Sequence, residues 1–150
     1  MIRAATLTDL DAIAEIDRHS FPRPWPRATF EAELERDVGR LAVLVDRERV
    51  IAYCNYWLVT GEVIGEVHIL AIATHPDHRR GGIGARLLAH ALADARTHGC
   101  TLATLEVRRG NTPAIALYER AGFTTVHIRQ RYYIDNDEDA LVMTCTLTGA

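Results

Sequence analysis

The sequence predicts an α+β domain built on one mixed, mostly antiparallel sheet of about seven strands, with about four helices on its faces. Three observations support this class. Segments rich in β-branched and aromatic residues alternate with segments of helical periodicity. One helix lies between two strand-like runs, which implies a parallel pair with a right-handed crossover. Hairpin-like pairs of strands precede and follow this unit, and hairpins are antiparallel.

The N-terminal half of the chain is predicted to hold a short strand, two helices and a hairpin. Thr8 and Asp11 fit a capping box at a helix start, and the apolar residues from Leu7 to Ile16 recur at helical spacing. The three prolines of FPRPWPR end this first helix, and a polar turn separates the two strand-like runs further along. The expected elements are strands at residues 2–4, 41–45 and 50–59 and helices at residues 8–19 and 28–36.

The C-terminal half begins with the strand–helix–strand unit. Its helix carries an apolar stripe from Ile83 to Ala95, and Gly99 follows in the position of a C′ glycine. Gly122 closes a second helix in the same way, and two further strands finish the chain. The expected elements are strands at residues 66–74, 101–107, 123–131 and 140–147 and helices at residues 82–98 and 111–121.

Composition limits the class of protein. The chain has 150 residues, 48% of them hydrophobic and 25% charged, which suits one globular domain spanning residues 1–150. A formal net charge of −3 argues against a broad basic face for nucleic acid. The three cysteines are scattered without a CxxC pair, which is typical of reduced thiols. No run is apolar enough to span a bilayer or to form a signal-peptide core, so we expect a cytoplasmic protein without a membrane partner.

Three glycines lie between the predicted strand at residues 66–74 and the body of the helix that follows it. Gly81, Gly82 and Gly84 directly follow Arg79 and Arg80. Glycine permits a positive φ and close approach of a ligand, and the first turn of a helix offers free N–H groups to a phosphate. A Walker A loop is excluded because it needs a lysine, and only half of a GxGxxG fingerprint is present. The remaining pattern is R-x-x-G-x-G, and a loop that merely turns the chain is the alternative.

This pattern, between an apolar strand and an amphipathic helix, resembles the pyrophosphate loop of the GNAT acyl-CoA N-acetyltransferases. LEVRRGNTPAIALYERAGF (residues 105–123) is similar to the second half of that family's fold. HSFPRPWPRATF (19–30) and RQRYYIDNDEDALVM (129–143) resemble its RimI-like branch, the ribosomal-protein-alanine N-acetyltransferases. The resemblance covers essentially the whole chain.

The resemblance implies a GNAT fold and transfer of an acetyl group from acetyl-CoA, without a metal, to a protein N-terminal α-amine. For the RimI-like branch, the implied acceptor is the N-terminal alanine of a small-subunit ribosomal protein. Two alternatives stay open: another acceptor, such as other N-termini, a lysine or a small amine, and a non-catalytic acyl-CoA-binding module. Pro26, Ala71 and the glycine-free loop IDNDED depart from the branch and leave the acceptor's identity open.

The resemblance also implies roles for three residues of the second half. Glu106, in an otherwise apolar strand, would be the general base, whereas composition alone favours a strand-end glutamate paired with Arg108 or another surface arginine. Tyr118 would be the general acid that protonates the leaving thiolate, although it could also be a core tyrosine. Asn111 would cap the last helix and contact the pantetheine arm of the cofactor.

The resemblance also implies the remaining site residues, which are assigned by their position in the chain. The strand end that binds pantetheine as a pseudo-strand is Ile72, Ala73 and Thr74. The N–H groups that bind the pyrophosphate belong to Arg80, Gly81, Gly82, Ile83, Gly84 and Ala85, with Arg79 at the rim. Trp25, Tyr132 and Tyr133 would wall the groove for the acceptor. His68, His75 and His78 lie close in sequence but lack the spacing of a zinc site, so we expect no metal.

Overall fold

The computed structural model of this chain describes residues 1–60, 65–79 and 81–147. Within these residues it contains seven strands and four α-helices, which confirms the predicted class. The strands are β1 (Ile2–Ala4), β2 (Gly39–Asp46), β3 (Arg49–Val59), β4 (Gly65–Thr74), β5 (Cys100–Arg108), β6 (Thr124–Tyr133) and β7 (Glu138–Thr146). The helices are α1 (Leu10–Ser20), α2 (Arg27–Glu35), α3 (Ile83–Thr97) and α4 (Thr112–Arg120).

All seven strands form one sheet in the order β1-β2-β3-β4-β5-β7-β6. The pair β4–β5, which α3 connects, is parallel, and every other neighbouring pair is antiparallel. The mixed, mostly antiparallel sheet is therefore confirmed. The last strand, β7, lies between β5 and β6, so β6 forms the edge of the sheet.

The start of α1 differs from the prediction. The Asp9 carboxylate accepts the backbone N–H of Thr6 at 2.8 Å and two N–H groups of Arg3 at 2.7 and 3.0 Å. The capping box is thus formed by Thr6 and Asp9, and the prediction of Thr8 and Asp11 was wrong. A 3-10 turn follows, and Leu7 lies on the surface instead of in the apolar stripe. Because Arg3 of β1 binds Asp9, the capping box uses the carboxylate of Asp9 and not that of Asp11.

The core lies on both faces of the sheet. One face packs against α3 through its predicted stripe, which consists of Leu87, Leu88, Ala91, Leu92 and Ala95. The other face packs against α1 and α2. Because side chains of a strand alternate between faces, β3 contributes Cys54 and Tyr56 to the α3 side and Tyr53 to the α1 side. None of the helices in the described ranges combines the length and the apolar character needed to cross a membrane.

The parallel pair opens at one end. Its register runs from Gly65 opposite Cys100 to Ile69 opposite Leu105 and stops there. Beyond this point β4 stays paired with β3, up to Thr74 opposite Ala52. Strand β5 likewise stays paired with β7 up to its last residue. Residues 70–74 and 106–108 therefore separate from each other, and a gap opens within the sheet.

Candidate active site

A cavity of about 310 Å³ occupies the gap between β4 and β5. Its walls include residues of α1 and α2 on one face of the sheet and of α4 on the other, so the cavity passes through the sheet. Six predicted site residues line it: Trp25, Ile72, Glu106, Asn111, Tyr118 and Tyr133. The predicted residues Ala73, Thr74, Arg79, Gly81, Gly82, Ile83, Gly84, Ala85 and Tyr132 lie outside its lining.

Glu106 is the first residue of β5 beyond the end of the parallel pairing. Leu105 and Val107 pack in the core under α3, so the alternation of the strand directs Glu106 to the α1–α2 face. Its carboxylate lies 3.7 Å from Nε of Arg129, whose side chain is half-exposed. An ion pair of this length at the surface contributes little to stability. The carboxylate therefore lies at the cavity wall with a long ion pair to Arg129.

The arginine suggested as the alternative partner, Arg108, is engaged elsewhere. Its guanidinium binds Asp135, in the turn between β6 and β7, at 3.0 Å and Glu138, at the start of β7, at 3.4 Å. It also lies over the ring of Tyr133, 3.9 Å from the ring centre. These contacts fix the position of Tyr133 in the cavity wall. The proposed pairing of Glu106 with a surface arginine is thus real, but the partner is Arg129.

The two predicted tyrosines of β6 have different positions. Tyr133 lines the cavity, and burial raises the pKa of its phenol. Tyr132 is largely exposed and lies outside the cavity, with its ring edge-on to Tyr133 at 5.2 Å. Hydrogen bonding to Glu106 raises the pKa of Tyr132. Tyr132 therefore touches the candidate base, and Tyr133 forms the wall.

Tyr118 reaches the cavity from α4, on the opposite face of the sheet from Glu106. Its ring packs against Phe123 at 5.8 Å, and burial raises the pKa of its phenol. The hydroxyl consequently keeps its proton through the physiological range, as a general acid must before it acts. Tyr118 is therefore both a core residue and a cavity residue, and the two sequence-based interpretations are compatible.

Asn111 is the N-cap of α4. Its Oδ1 accepts the N–H of Ala114 at 3.4 Å, and Pro113 stands in the first turn, as the sequence predicts. The Asn111 side chain also lines the cavity, as does Tyr118 of the same helix. A cap residue is held firmly by the helix it starts, so Asn111 presents a rigid polar group to the cavity.

The glycine loop leads directly into α3. Gly82 is the N-cap with φ of +70°, and among the described residues nothing lies within 4 Å of the place where its Cβ would be. The first backbone hydrogen bond of α3 is donated by Arg86 to Gly82 at 3.1 Å, so the preceding N–H groups are open to an anion. Gly84, in the first turn of α3, faces Leu117 of α4, and a Cβ there would make an ordinary contact of 3.4 Å with it. Arg80 lies outside the described residues.

Arg79 crosses from the loop to α1. Its Nε donates to the Thr74 carbonyl at 3.1 Å, and its terminal nitrogen donates to the His19 carbonyl at 3.3 Å and to Ser20 Oγ at 3.4 Å. A guanidinium at the C-terminal end of a helix interacts favourably with the helix dipole. Arg79 thus ties the loop to α1. Ala73 is buried under α1, in the part of β4 that has left β5.

Two polar residues of the cavity were missed by the sequence-based prediction. Asp17 of α1 is buried, and its carboxylate accepts the hydroxyl of Tyr53 and the backbone N–H of Trp25, the latter at 2.7 Å. Burial, and then the charge of Asp17, hold the pKa of Tyr53 well above its usual range. Asn55 lies in the middle of β3 and is fully buried. A signal existed for both, because each is a polar residue at an apolar position of its helix or strand.

The three histidines that lie close in sequence each lie beside another aromatic ring. His75 lies 6.2 Å from His19 and 6.0 Å from His78, and His68 lies 6.1 Å from Trp57. Within residues 1–60, 65–79 and 81–147, no three side chains of the metal-binding types form a group that could hold an ion.

The geometry and the similarity to known proteins identify the class of protein. The acetyltransferase (GNAT) family model matches residues 10–123, so the chain belongs to the GNAT family, as the glycine loop and the second half of the sequence predicted. It is an acetyl-CoA-dependent N-acetyltransferase. The chain resembles the alanine N-acetyltransferase of ribosomal protein bS18 from Salmonella typhimurium, with 35% identity over 144 residues, 95% of this chain and 94% of that protein.

Two further relatives agree. The N-alpha-acetyltransferase of Sulfolobus acidocaldarius is 33% identical over 156 residues, which cover 97% of this chain and 92% of that protein. The crystal structure of the alanine N-acetyltransferase of ribosomal protein S18 from Escherichia coli matches with a TM-score of 0.88 at 32% identity. That match covers 100% of this chain and 95% of the other. The predicted likeness to the RimI-like branch is confirmed.

Proposed function

We propose that this protein is a cytoplasmic enzyme that acetylates the N-terminal α-amine of a protein, and that its acceptor is the N-terminal alanine of a small-subunit ribosomal protein. The observation that carries the proposal is the cavity through the sheet, which has a carboxylate, Glu106, on one face and a protonated phenol, Tyr118, on the other. The names of the relatives at 33–35% identity support an α-amine acceptor.

The fit of acetyl-CoA rests on three features of this chain. Beyond Ile69 strand β4 has no pairing partner on β5, so its end, Ile72, Ala73 and Thr74, borders the gap, where a pantetheine arm would pair as an added strand beside the Thr74 carbonyl that accepts from Arg79. The open space at Gly82 and the first turn of α3, from Ile83 to Ala85, suit a pyrophosphate. Gly81, Gly84 and Arg80 complete the proposed loop, with Asn111 at the pantetheine end.

The acid and the base would act from opposite ends of the cavity. A free α-amine has a pKa near 8 and is mostly protonated at neutral pH. Glu106 would remove that proton, directly or through a water, and the neutral nitrogen would attack the carbonyl carbon of the thioester. The carbon–sulfur bond breaks, Tyr118 would give its proton to the leaving thiolate, and the nitrogen, now part of the amide, would lose its second proton to solvent. Holding amine and thioester in one narrow cavity supplies much of the rate enhancement.

The acceptor would enter from the α1–α2 side. Trp25 lies there, with its ring centre 5.4 Å from that of Phe30. The backbone N–H of Trp25 donates a hydrogen bond to the Asp17 carboxylate. Tyr133 stands across the mouth, under the guanidinium of Arg108. The Arg108 guanidinium holds the Tyr133 ring, and a backbone hydrogen bond to Asp17 and the contact with Phe30 hold Trp25, so the groove is preorganised for an extended chain end.

A peptide panel tests the proposal. The purified protein would be incubated with acetyl-CoA and peptides that begin with Ala, Ser, Met or Gly, and with an N-blocked peptide that carries one internal lysine. Mass spectrometry would follow the addition of each acetyl group. We expect acetylation of α-amines, fastest for the ribosomal Ala-start peptide. Preference for lysine would contradict the proposed acceptor, and tight acetyl-CoA binding without transfer to any amine would support a non-catalytic module instead.

A further inference from the structure

Asn55 is a polar residue without a partner in the cavity wall. Its side chain is fully buried, and neither Oδ1 nor Nδ2 has a hydrogen-bond partner in the described part of the chain. Leaving a buried amide unpaired costs about 1–3 kcal/mol, and most buried polar side chains in folded proteins are paired. A fold that keeps such a group at the wall of a cavity indicates a ligand that meets it there.

The position of Asn55 places it on the acceptor side. Tyr53 precedes it by two residues and packs under α1, so Asn55 faces α1 and α2 as well. Its cross-strand neighbour on β4 is Ala71, which lines the same cavity. The side chain of Glu106 projects from the same face of the sheet, on the far side of the gap.

The separation between Asn55 and Glu106 suits one bound amino-acid unit. Strand β4 lies between β3 and β5, and neighbouring strands are about 4.8 Å apart, so the two backbones are about 10 Å apart or more. Both side chains stand on the same face of the sheet, with the end of β4 between them. A group bound between them can contact the carboxylate at one end and the amide at the other.

The chemistry of the amide selects what that unit is. A primary amide donates through Nδ2 and accepts through Oδ1. The first residue of a peptide offers the complementary pair, an amine N–H and a carbonyl oxygen separated by one carbon. A lysine side chain offers the amine but has no carbonyl next to it. The buried amide is thus complementary to a chain terminus.

We propose that Asn55 binds the first residue of the acceptor, with Nδ2 donating to its carbonyl and Oδ1 accepting from its α-amine. The inference rests on the proposed function and adds to it the residue that distinguishes an α-amine from a lysine. Asn55 holds the amine beside Glu106 while the proton is removed, and it does not take part in the proton transfer.

The test compares two substrates on two proteins. One substrate is an Ala-start peptide, and the other is the same peptide with its first carbonyl reduced to a methylene. We expect the wild-type protein to favour the first in kcat/KM by about tenfold or more, which is the loss of one hydrogen bond in a buried site. Asn55→Ala should lower kcat/KM for the first peptide by about tenfold to a hundredfold and should favour neither peptide. Such a double-substitution cycle cancels the effect of the chemical change itself.

Two measurements serve as controls: the Tm of each variant and its affinity for acetyl-CoA. Because the amide is unpaired without substrate, Asn55→Ala should not lower Tm, and Asn55→Leu, which keeps the side-chain shape, provides a second folded variant. Cys54→Ala, on the same strand but facing α3, should lower Tm and leave the preference between peptides intact.

The possible results separate the two claims. An unchanged preference in both Asn55 variants, or a change confined to KM for acetyl-CoA, would overturn the role of Asn55 and leave the proposed function standing. Failure of the wild-type protein to acetylate any α-amine would overturn the proposed function, and the role of Asn55 with it.

Discussion

Replacing Asp17 with alanine should destabilise the protein strongly, because the buried carboxylate joins three segments. It accepts hydrogen bonds from Tyr53 on β3 and from the backbone of Trp25, while its own residue belongs to α1. Hydrogen bonds to a charged group contribute about 1.5–3 kcal/mol each, so the two together contribute about 3–6 kcal/mol. Part of this is offset because a carboxylate need no longer be buried. We expect a net loss of about 2–4 kcal/mol in the free energy of unfolding.

Urea and thermal denaturation would measure this loss. For a chain of this length, about 2–4 kcal/mol corresponds to a decrease in Tm of about 5–15 °C. Asp11→Ala is the matched control, because Asp11 is exposed on the same helix and its ion pair with Arg27 is a surface contact. It should change stability by less than about 0.5 kcal/mol. Equal stabilities of the two variants would refute the structural role of Asp17.

Three further perturbations have defined outcomes. Glu106→Gln should lower kcat for α-amine peptides by about a hundredfold or more without changing the affinity for acetyl-CoA, measured by calorimetry; an unchanged rate would remove Glu106 as base. Gly82→Ala and Gly99→Ala should destabilise α3 similarly, since both glycines have positive φ and open space, but only Gly82→Ala should weaken acetyl-CoA binding. Asp9→Asn should lower the free energy of unfolding, measured by urea denaturation, by about 1–2 kcal/mol at pH 7 and by less at acidic pH.

The sign of that pH dependence follows from the contacts of Asp9. The side-chain hydrogen bond from Arg3 is the main cause that lowers the pKa of Asp9 below its ordinary value. A carboxylate with a lowered pKa stabilises the fold above the pKa it has in the unfolded chain, and this stabilisation is lost as the pH falls through the folded-state pKa. The difference between wild type and Asp9→Asn should therefore shrink below about pH 4. A difference that is constant from pH 7 to pH 3 would contradict this.

The sequence predicted the elements with strong local signals. Helix α3 has a continuous apolar stripe, a glycine at each end and no competing pattern, so its bounds were right to within a residue. The parallel pair followed from chain topology alone. By contrast, Thr8 and Thr6 both fit a helix cap locally, and the choice depends on Arg3, which belongs to a strand that pairs with β2. Contacts between distant segments are not encoded in local spacing.

The sequence predicted several residues that line the cavity, but it did not predict how they are arranged around it. The family resemblance supplied Glu106 and Tyr118, but their positions on opposite faces depend on the alternation of β5 and on the packing of α4. The partner of Glu106 is Arg129, which lies on β6 and reaches across β7 to it, and this pairing depends on the strand order of the sheet. Asn55 was overlooked although it is a polar residue within an apolar strand, because a single amide does not show by itself that it borders a cavity.

One measurement tests the central claim directly, that the cavity delivers a chain terminus to the acetyl donor. A single peptide would carry both a free N-terminal alanine and an internal lysine, and it would be incubated with acetyl-CoA and a limiting amount of enzyme. Tandem mass spectrometry would then locate the acetyl group. The structure predicts acetyl on the alanine α-amine, and a product that carries acetyl on the lysine would contradict it.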